Sequence, residues 1–321
     1  MNGITTLLPV YLSNPGTTET SYLLRAVQSV LSQDCALPME LLVIDDGSEP
    51  EIRLPKNPQV RILKLPRNYG ITYALNAGLT QARYDLIARI DADDQWAPGK
   101  LAKQVAMLEA DPDLTLVASS MRLVHPGNAH LDRDELRGGD WAKVLELSKR
   151  LGCPFPHGSI LGRREVFHKL GGYPQAAECQ HGEDFALWAQ WIRFFKVAIC
   201  EEVFLKYTVS AGQISSTFAA EQQQASEAAR RTLGTPGDVA AAVPHIAREL
   251  GLSLMETSQA LFAAWRFFEY VLVDDEIYQA ASTVLPDRAV HRVDAAEKLL
   301  ANRFFYLTKQ KRTTPRPVHS R

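Results

Sequence analysis

The most constraining feature of the sequence is a short apolar run that ends abruptly in acidic residues. Residues 85–90 predict a buried strand, and Asp91, Asp93 and Asp94 follow it directly. Carboxylates this close together repel each other unless a cation lies between them, and hard divalent ions bind oxygen ligands that they share with substrate phosphates. The pattern indicates a metal–diphosphate site at the carboxyl end of a sheet strand. The alternative is an acidic loop that caps the next helix, near Pro98.

Composition and charge exclude several classes of protein. Of the 321 residues, 46% are hydrophobic and 22% are charged, and the net charge of -2 offers no global field for nucleic acid. The four cysteines lie far apart, which favours free thiols in a reducing compartment over a zinc site; they are Cys35, Cys153, Cys179 and Cys200. No secretory signal or bilayer-spanning apolar run is evident. We therefore expect a soluble cytoplasmic protein, with peripheral contact at the inner face of the membrane left open.

Strand and helix patterns alternate over the first two thirds of the chain. The apolar runs that predict strands are 4–11, 40–44, 60–65, 85–90, 114–123 and 203–209. The segments that predict helices are 19–32, 71–80, 98–110, 140–151, 163–170 and 183–195, and 122–139 predicts a surface loop. Pro9 has no amide proton, so the first strand should end or loosen there. The alternation predicts an α/β fold with a mostly parallel central sheet and helices on both faces.

The character of the sequence changes after residue 216. Strand patterns vanish and helical patterns follow one another, so we expect a catalytic domain over 1–215, a helical region over 216–307 and a flexible basic tail over 308–321. Residues 261–273 are apolar around most of the helix circumference, as is typical of a helix buried in a core or between subunits. A face resting on the membrane is the alternative for this helix, and a membrane or partner contact is the alternative for the tail.

A second acidic site ends the second predicted strand. Asp45 and Asp46 begin an Asp-Asp-Gly-Ser sequence, which is either a plain turn or a carboxylate that accepts hydrogen bonds from a base or a ribose. Pro9 and Tyr11 stand at the end of the neighbouring first strand. Together with the acidic turn, these residues outline a nucleotide pocket in which Tyr11 could stack on the base.

A third acidic site, Glu183-Asp184, opens a predicted helix. Acids at this position often only cap the helix and complement its dipole. The functional alternative is a general base that takes the proton of an acceptor hydroxyl as that hydroxyl attacks. His157 is the remaining polar candidate for an active-site role, although a lone histidine is more often structural.

The ordered set of motifs resembles the inverting family-2 glycosyltransferases with the GT-A fold. The matching pieces are Leu-Pro-Val-Tyr at 8–11, Val-Ile-Asp-Asp-Gly-Ser at 43–48, Arg-Asn-Tyr-Gly and the following run at 67–78, Ile-Asp-Ala-Asp-Asp at 90–94, Pro-His-Gly-Ser at 156–159 with Gly-Gly-Tyr at 171–173, and Glu-Asp-Phe-Ala-Leu-Trp at 183–188. The resemblance covers residues 4–215. No Gln-x-x-Arg-Trp motif follows Asp184, which disfavours a processive polysaccharide synthase.

For the donor, the resemblance implies a set of binding residues and a metal ion. Pro9, Tyr11 and Asp46 would line the nucleobase and ribose pocket, and Asn68 and Gly70 would lie close to the diphosphate. The Asp-x-Asp pair would hold Mn2+ or Mg2+; its members are Asp91, nearer the ribose, and Asp93, the principal metal ligand. Two departures are evident, because many relatives have an arginine where Leu75 stands and a histidine near Ser210 and Gln213.

For the acceptor, the resemblance implies that Asp184 is the catalytic base and that Glu183 helps to bind the acceptor, with His157 also at the substrate. The expected enzyme moves a single sugar from a UDP- or dTDP-type donor to a saccharide or lipid-linked acceptor with inversion, in surface polysaccharide or glycan biosynthesis. Homo-oligomers could form through the C-terminal helices. One alternative is a sugar nucleotidyltransferase, although residues 13–16 lack the glycine-rich, arginine-containing loop of that class. The other is a non-catalytic sugar-nucleotide-binding module.

Overall fold

The computed structural model of the protein describes residues 1–13, 16–175, 181–209, 222–224, 226–227 and 237–271. The chain divides into two compact units, Met1–Gly237 and Asp238–Arg321. Several features expected from the sequence lie outside the described residues: Cys179, Ser210, Gln213 and the basic tail over 308–321. The proposed division at residues 215 and 307 stays a prediction.

In the first unit, the described residues contain one nine-stranded sheet. Its strands are β1 (Ile4–Val10), β2 (Met39–Asp45), β3 (Val60–Lys64), β4 (Leu86–Arg89), β5 (Gln95–Trp96), β6 (Leu116–Val124), β7 (Arg133–Glu135), β8 (Leu161–Arg163) and β9 (Val197–Thr208). The strand order is β3-β2-β1-β4-β8-β6-β9-β5, with β7 beside β6.

Helices connect most of these strands. In the first unit they are α1 (Thr17–Leu31), α2 (Ile71–Gln81), α3 (Lys100–Ala110), α4 (Trp141–Leu151), α5 (Arg164–Leu170) and α6 (Glu183–Phe194), with 3-10 turns at Ala129–Leu131 and His157–Ser159. The second unit contains α7 (Gly237–Leu250) and α8 (Leu254–Val271). Leu261 and Phe262 of α8 are buried, as expected for the start of the apolar segment. Over the part of the chain that the structure describes, no helix is long and apolar enough to cross a membrane.

The sheet has a parallel half and a mixed half. β3, β2, β1 and β4 are all parallel, because α1 and α2 are among the connections that return the chain to the same end of the sheet. β8 then pairs antiparallel with both β4 and β6, whereas β6 and β9 are parallel. The predicted α/β fold class is confirmed, and the parallel half lies where the sequence alternates most regularly between strands and helices.

β1 ends at Val10, one residue after Pro9, and its pairing with β4 stops at Leu7, so the expectation that the strand would end or loosen there is confirmed. The carbonyl of Val10 accepts a hydrogen bond from the N–H of Asp46 (2.9 Å), so Val10 faces β2 and Pro9 faces the opposite side. On that side β4 pairs only as far as Arg89, which lies opposite Leu7. Because the pairing with β4 stops before Pro9, the missing amide proton costs no ladder bond on that side.

The sequence patterns do not predict two of the strands and predict a third as too short. β5 is only two residues long and pairs with Leu205 and Lys206, which is too short for an alternation to be visible. β7 falls within 122–139, so the prediction of a surface loop there is wrong for Arg133–Glu135. All three residues of this strand are charged, and the strand pairs with β6. β9 begins at Val197 rather than at residue 203, and its pairing with β6 is interrupted near Ser119 and Ser120.

A tight contact joins the turn after β2 to the loop after β3. Gly47 has a φ of 77°, and a Cβ added there would lie 2.3 Å from the carbonyl carbon of Arg67. Only glycine allows both this backbone conformation and this approach. The contact places the Asp45–Ser48 turn against the loop that carries Asn68 and Gly70.

We predict that Gly47→Ala destabilises the protein by about 3 kcal/mol or more, because backbone strain and overpacking add at this position. Gly127→Ala is the matched control, since Gly127 has a similar φ of 81° and nothing within 4 Å of its added Cβ. The control should lose only about 1 kcal/mol. Urea denaturation of both variants checks this, and equal losses would contradict the close contact.

Candidate active site

The acidic turn after β4 is fixed to the end of β9. Asp94 is fully buried, and its Oδ1 accepts a hydrogen bond from the N–H of Thr208 (2.9 Å). The hydroxyl of Thr208 donates to the carbonyl of Asp93 (2.5 Å). Within the turn itself, the N–H of Asp94 donates to the carbonyl of Asp91 (3.2 Å). These bonds hold the three carboxylates at the carboxyl end of β4, where the sequence predicted them.

Arg89, the last residue of β4, is a buried cation beside these carboxylates. Its guanidinium donates through both terminal nitrogens to the two carboxylate oxygens of Asp91. Burial alone would lower the pKa of Arg89, but Asp91, Tyr173 and Asp94 raise it, and the net direction is upward. Arg89 therefore stays charged although only 2% of its surface is exposed.

The pKa of the Asp94 carboxyl group is shifted upward by its surroundings. Burial raises its pKa well above the usual range, and the nearby charges of Asp91 and Asp93 raise it further. Its Oδ2 has no hydrogen-bond partner, and a Cβ added at Gly158 would lie 3.2 Å from that atom. Asp94 therefore anchors the acidic turn to the end of β9, and its Oδ2 lies beside Gly158 in the segment that contains His157.

The first turn of α6 carries the other pair of acids, Glu183 and Asp184. Burial and the neighbouring Asp184 raise the pKa of Glu183 to about 7. Burial also raises the pKa of Asp184. The N–H of Phe185, which donates to Oδ1 of Asp184 (2.6 Å), and the charge of Arg89 both oppose this shift. Arg89 and Asp91 perturb the pKa of both acids, so the end of β4 and the start of α6 share one buried electrostatic cluster.

His157 lies in the same cluster and is neutral. Burial lowers its pKa well below the usual range, and the charge of Arg89 lowers it further. Its Nε2 is hydrogen-bonded to the hydroxyl of Tyr173 (2.7 Å). Its ring packs edge-on against Trp188, with ring centres 5.5 Å apart. Trp188 is one helical turn after Asp184, so the histidine contacts the helix that carries the predicted base.

Asn76 was missed as a site residue, although it lies within the 67–78 motif. Its side-chain amide clamps Tyr173: Oδ1 accepts from the N–H of Tyr173 (2.8 Å) and Nδ2 donates to its carbonyl (2.9 Å). Gly172 packs tightly against the same amide. Arg89 was missed as well, and its only signal in the sequence is a cation within an otherwise apolar strand directly before the acids.

The predicted nucleotide-binding residues lie at the carboxyl ends of β1, β2 and β3. Asp46 is buried, and its carboxylate accepts the N–H groups of Tyr69 (2.9 Å) and Gly70 (2.8 Å). Burial raises the pKa of Asp46, and these two N–H groups oppose the shift. Asn68 Oδ1 also accepts from the N–H of Gly70 (2.9 Å). Asp46 thus has a role that its motif did not predict, because it fixes the loop in which Asn68 and Gly70 lie.

The end of β1 connects the two groups of residues. Pro9 is buried and pairs with Ile44 of β2, whereas Tyr11 follows the strand and is 48% exposed. Because β1 lies between β2 and β4, the Asp46 turn and the Asp91–Asp94 turn lie on either side of the end of β1, at one edge of the sheet. Leu75, at the position where an arginine is expected, is fully buried and contributes to the core.

The donor set at the acidic turn is compatible with a divalent ion shared with a ligand. Among the described residues, no group of three or more His, Cys, Asp or Glu side chains could hold a metal ion. Both carboxylate oxygens of Asp91 contact Arg89, and Asp93 is partly exposed. Mg2+ is usually held by one or two carboxylates and substrate phosphates rather than by an all-protein cage. The carboxylate of Asp93 is therefore sufficient as the protein's ligand to such an ion.

The fold and the site define a protein of the glycosyltransferase class. The sequence profile of glycosyl transferase family 2 matches residues 9–171, and the chain belongs to this family. Putative glycosyltransferase EpsE of Bacillus subtilis is 30% identical over 188 residues, which cover 54% of this chain and 62% of EpsE. The amylovoran biosynthesis glycosyltransferase AmsE of Erwinia amylovora is 27% identical over 156 residues, which cover 48% of this chain and 56% of AmsE. The chain thus spans less than two thirds of the length of either relative.

The fold is also similar to that of a solved structure. A crystal structure of TarS residues 1–349 of S. aureus, in complex with UDP-GlcNAc, superposes with a TM-score of 0.51 at 15% identity. The match covers 84% of this chain and 73% of that chain. This likeness confirms the predicted GT-A type of fold.

We predict that Glu183→Gln changes how stability depends on pH. The raised pKa of Glu183 means that the folded state binds more protons than the unfolded state between a pH of about 4.5 and about 7. Wild-type stability should therefore fall as the pH rises through this window, and the variant, which cannot titrate there, should lose less. Free energies of unfolding at about pH 5 and about pH 8 test this.

The control for this measurement is Glu109→Gln, which changes an exposed glutamate at the end of α3. It should keep the wild-type dependence on pH. The same slope in Glu183→Gln and in wild type would show that Glu183 ionises normally in the folded protein.

Proposed function

We propose that the protein is an inverting, non-processive glycosyltransferase that moves one sugar from a UDP- or dTDP-type donor to a saccharide or lipid-linked acceptor. The biosynthesis of a surface polysaccharide or glycan is its proposed role, in line with the name of AmsE. The complex of TarS with UDP-GlcNAc supports a nucleotide-sugar donor. The proposed location is the cytoplasm, at the inner face of the membrane when the acceptor is lipid-linked.

The observation that carries this proposal is the buried cluster shared by the acidic turn and the start of α6. Arg89 and Asp91 act on the pKa of both Glu183 and Asp184. A sugar whose diphosphate lies at the acidic turn would therefore have a carboxylate close to its opposite side. Displacement with inversion requires this arrangement, since the acceptor must attack from the face opposite to the leaving group.

Asp184 is the proposed base in this reaction. It accepts the proton of the acceptor hydroxyl while the acceptor oxygen bonds to the anomeric carbon. The bond from that carbon to the diphosphate oxygen breaks, and its electron pair leaves with the diphosphate. The raised pKa of Asp184 brings the carboxylate closer to the working pH and makes it a better proton acceptor.

The remaining residues bind and orient the substrates. Glu183, beside Asp184, is positioned to accept hydrogen bonds from acceptor hydroxyls. On the donor side, the exposed ring of Tyr11 is proposed to stack on the base, and Asn68 and Gly70, in the loop held by Asp46, are proposed to bind the diphosphate. Asp93, with Asp91 at the ribose side, is the proposed ligand of Mn2+ or Mg2+, which when bound would neutralise charge on the leaving diphosphate.

We predict that Asp184→Asn lowers the rate of nucleoside diphosphate release by roughly 100-fold or more, because it removes the base and keeps the shape. The assay mixes the protein with Mn2+ and a panel of UDP-, dTDP- and GDP-sugars. Binding of UDP should be unchanged. Pyrophosphate as the product would indicate a nucleotidyltransferase, and binding without any product would indicate a non-catalytic module.

Asp140→Asn is the matched control for that variant. Asp140 begins α4, and its side chain accepts a hydrogen bond from the N–H of Lys143 (3.1 Å), so it is an acid that only caps a helix. This control should keep wild-type release. If Asp184→Asn also keeps it, Asp184 is a cap as well and the proposed base is wrong.

We predict that Asp93→Asn raises the Mn2+ concentration needed for half-maximal release by about tenfold or more, because a charged oxygen ligand is lost. Asp94→Asn is the matched control, since Asp94 is the neighbouring acid of the same turn, is fully buried and keeps its shape as an amide. Titration of each variant with Mn2+ measures the difference. Equal responses in the two variants would show that Asp93 is not the ligand.

A further inference from the structure

Three consecutive backbone carbonyls beside the site each face a buried side-chain donor. The indole N–H of Trp96 donates to the carbonyl of Gly158 (2.8 Å), and the amide of Gln104 donates to that of Ser159 (2.8 Å). The amine of Lys100 makes a longer contact to the carbonyl of Ile160 (3.4 Å). Lys100 and Gln104 are one turn apart on α3, so they project from the same face of that helix, and Trp96 reaches the segment from β5.

The donors also contact each other. The Lys100 amine lies 3.9 Å from the centre of the Trp96 ring and donates to Oε1 of Gln104 (2.8 Å). Because an amine only donates, Oε1 of Gln104 must face it, and the amide N–H2 group must face the carbonyl of Ser159. Lys100 and the carbonyls of Val117 and Ser159 together determine which way round the glutamine amide is held.

A lysine at this position lowers the stability of the fold. Lys100 is fully buried, and burial lowers its pKa to about 7. Removing an amine from water is unfavourable unless a partner compensates for it, and its hydrogen-bond partners here are neutral amide oxygens. A methionine of similar length would avoid this cost, so packing alone does not explain the residue.

The segment held by these donors lies between the two sides of the proposed site. Gly158 adjoins Oδ2 of Asp94 in the acidic turn. His157, one residue earlier, is hydrogen-bonded to Tyr173 and packs against Trp188 of α6. A displacement of this segment would change the separation between the donor side and the helix that begins with Glu183 and Asp184.

We propose that Trp96, Lys100 and Gln104 form a carbonyl clamp, a set of positioning residues that fixes the His157–Ile160 segment and thereby the spacing between the acidic turn and Asp184. The clamp touches no reacting atom and acts through His157 and Gly158. Its effect on catalysis rests on the proposed function, but its effect on the position of His157 does not.

The position of His157 can be measured by NMR in the full chain with 13C-labelled histidine. His157→Gln assigns the His157 signal among those of the eight histidines. Gln104→Leu, Lys100→Met and Trp96→Phe, which removes the indole donor together with part of the ring, should each shift that signal. Thr5→Val is the control, because it removes a buried hydroxyl of β1 that donates to Glu40 instead (2.8 Å). An unshifted His157 signal in the three clamp variants would overturn the proposal.

Release of nucleoside diphosphate tests the catalytic consequence. Lys100→Met should lower kcat by about 10- to 100-fold with little change in the KM of the donor. Thr5→Val should lower Tm and keep kcat. A merely structural lysine would give a lower Tm with an unchanged kcat for Lys100→Met. If wild type releases no nucleoside diphosphate from any donor, the proposed function fails, and the NMR result still decides the clamp.

Discussion

The buried guanidinium of Arg89 is the charge on which the candidate site depends. It contacts Asp91 directly, and it lowers the pKa of Asp94, Glu183 and Asp184, which burial and mutual repulsion raise. Arginine cannot lose its proton in a protein, so this balance persists over the whole physiological pH range. Breaking such a buried charge pair by removing one partner is far more costly than its net contribution to stability would suggest. Arg89 thus allows acids from distant parts of the sequence to be buried together.

The architecture of the sheet explains why those acids meet. The parallel half brings the ends of β1, β2 and β4 to one edge, which is where open α/β sheets bind their ligands. The mixed half of the sheet supplies the second side of the candidate site, because the end of β9 anchors Asp94 through Thr208. The His157 segment joins the two sides through its contacts with Asp94 and α6. One half of the sheet therefore provides the proposed donor pocket, and the other fixes the acidic turn in place.

The sequence predicts the parallel half and the acidic turn well, since both depend on local patterns: apolar runs that end in polar turns. It does not predict β5 or β7, which are too short or too polar for an alternation to be visible. It also misses the roles of Arg89 and Asn76 and the proposed role of Lys100. Each depends at least in part on residues far away in the chain, as in the effect of Arg89 on Glu183 and Asp184 and the contact of Lys100 with Ile160. Asn76 contacts Tyr173, for example, ninety-seven residues later. Motif spacing indicates candidate site residues, whereas their pairing becomes visible only in the folded chain.

The most direct test of the account is a crystal structure of the wild-type protein with Mn2+ and an unreactive analogue of the nucleotide sugar that it binds best. The account predicts that the diphosphate lies at Asp93, that the base lies beside Tyr11 and the Asp46 loop, and that the carboxylate of Asp184 faces the anomeric carbon from the side opposite to the diphosphate. A sugar that points away from α6, or a nucleotide bound elsewhere on the sheet, would contradict it.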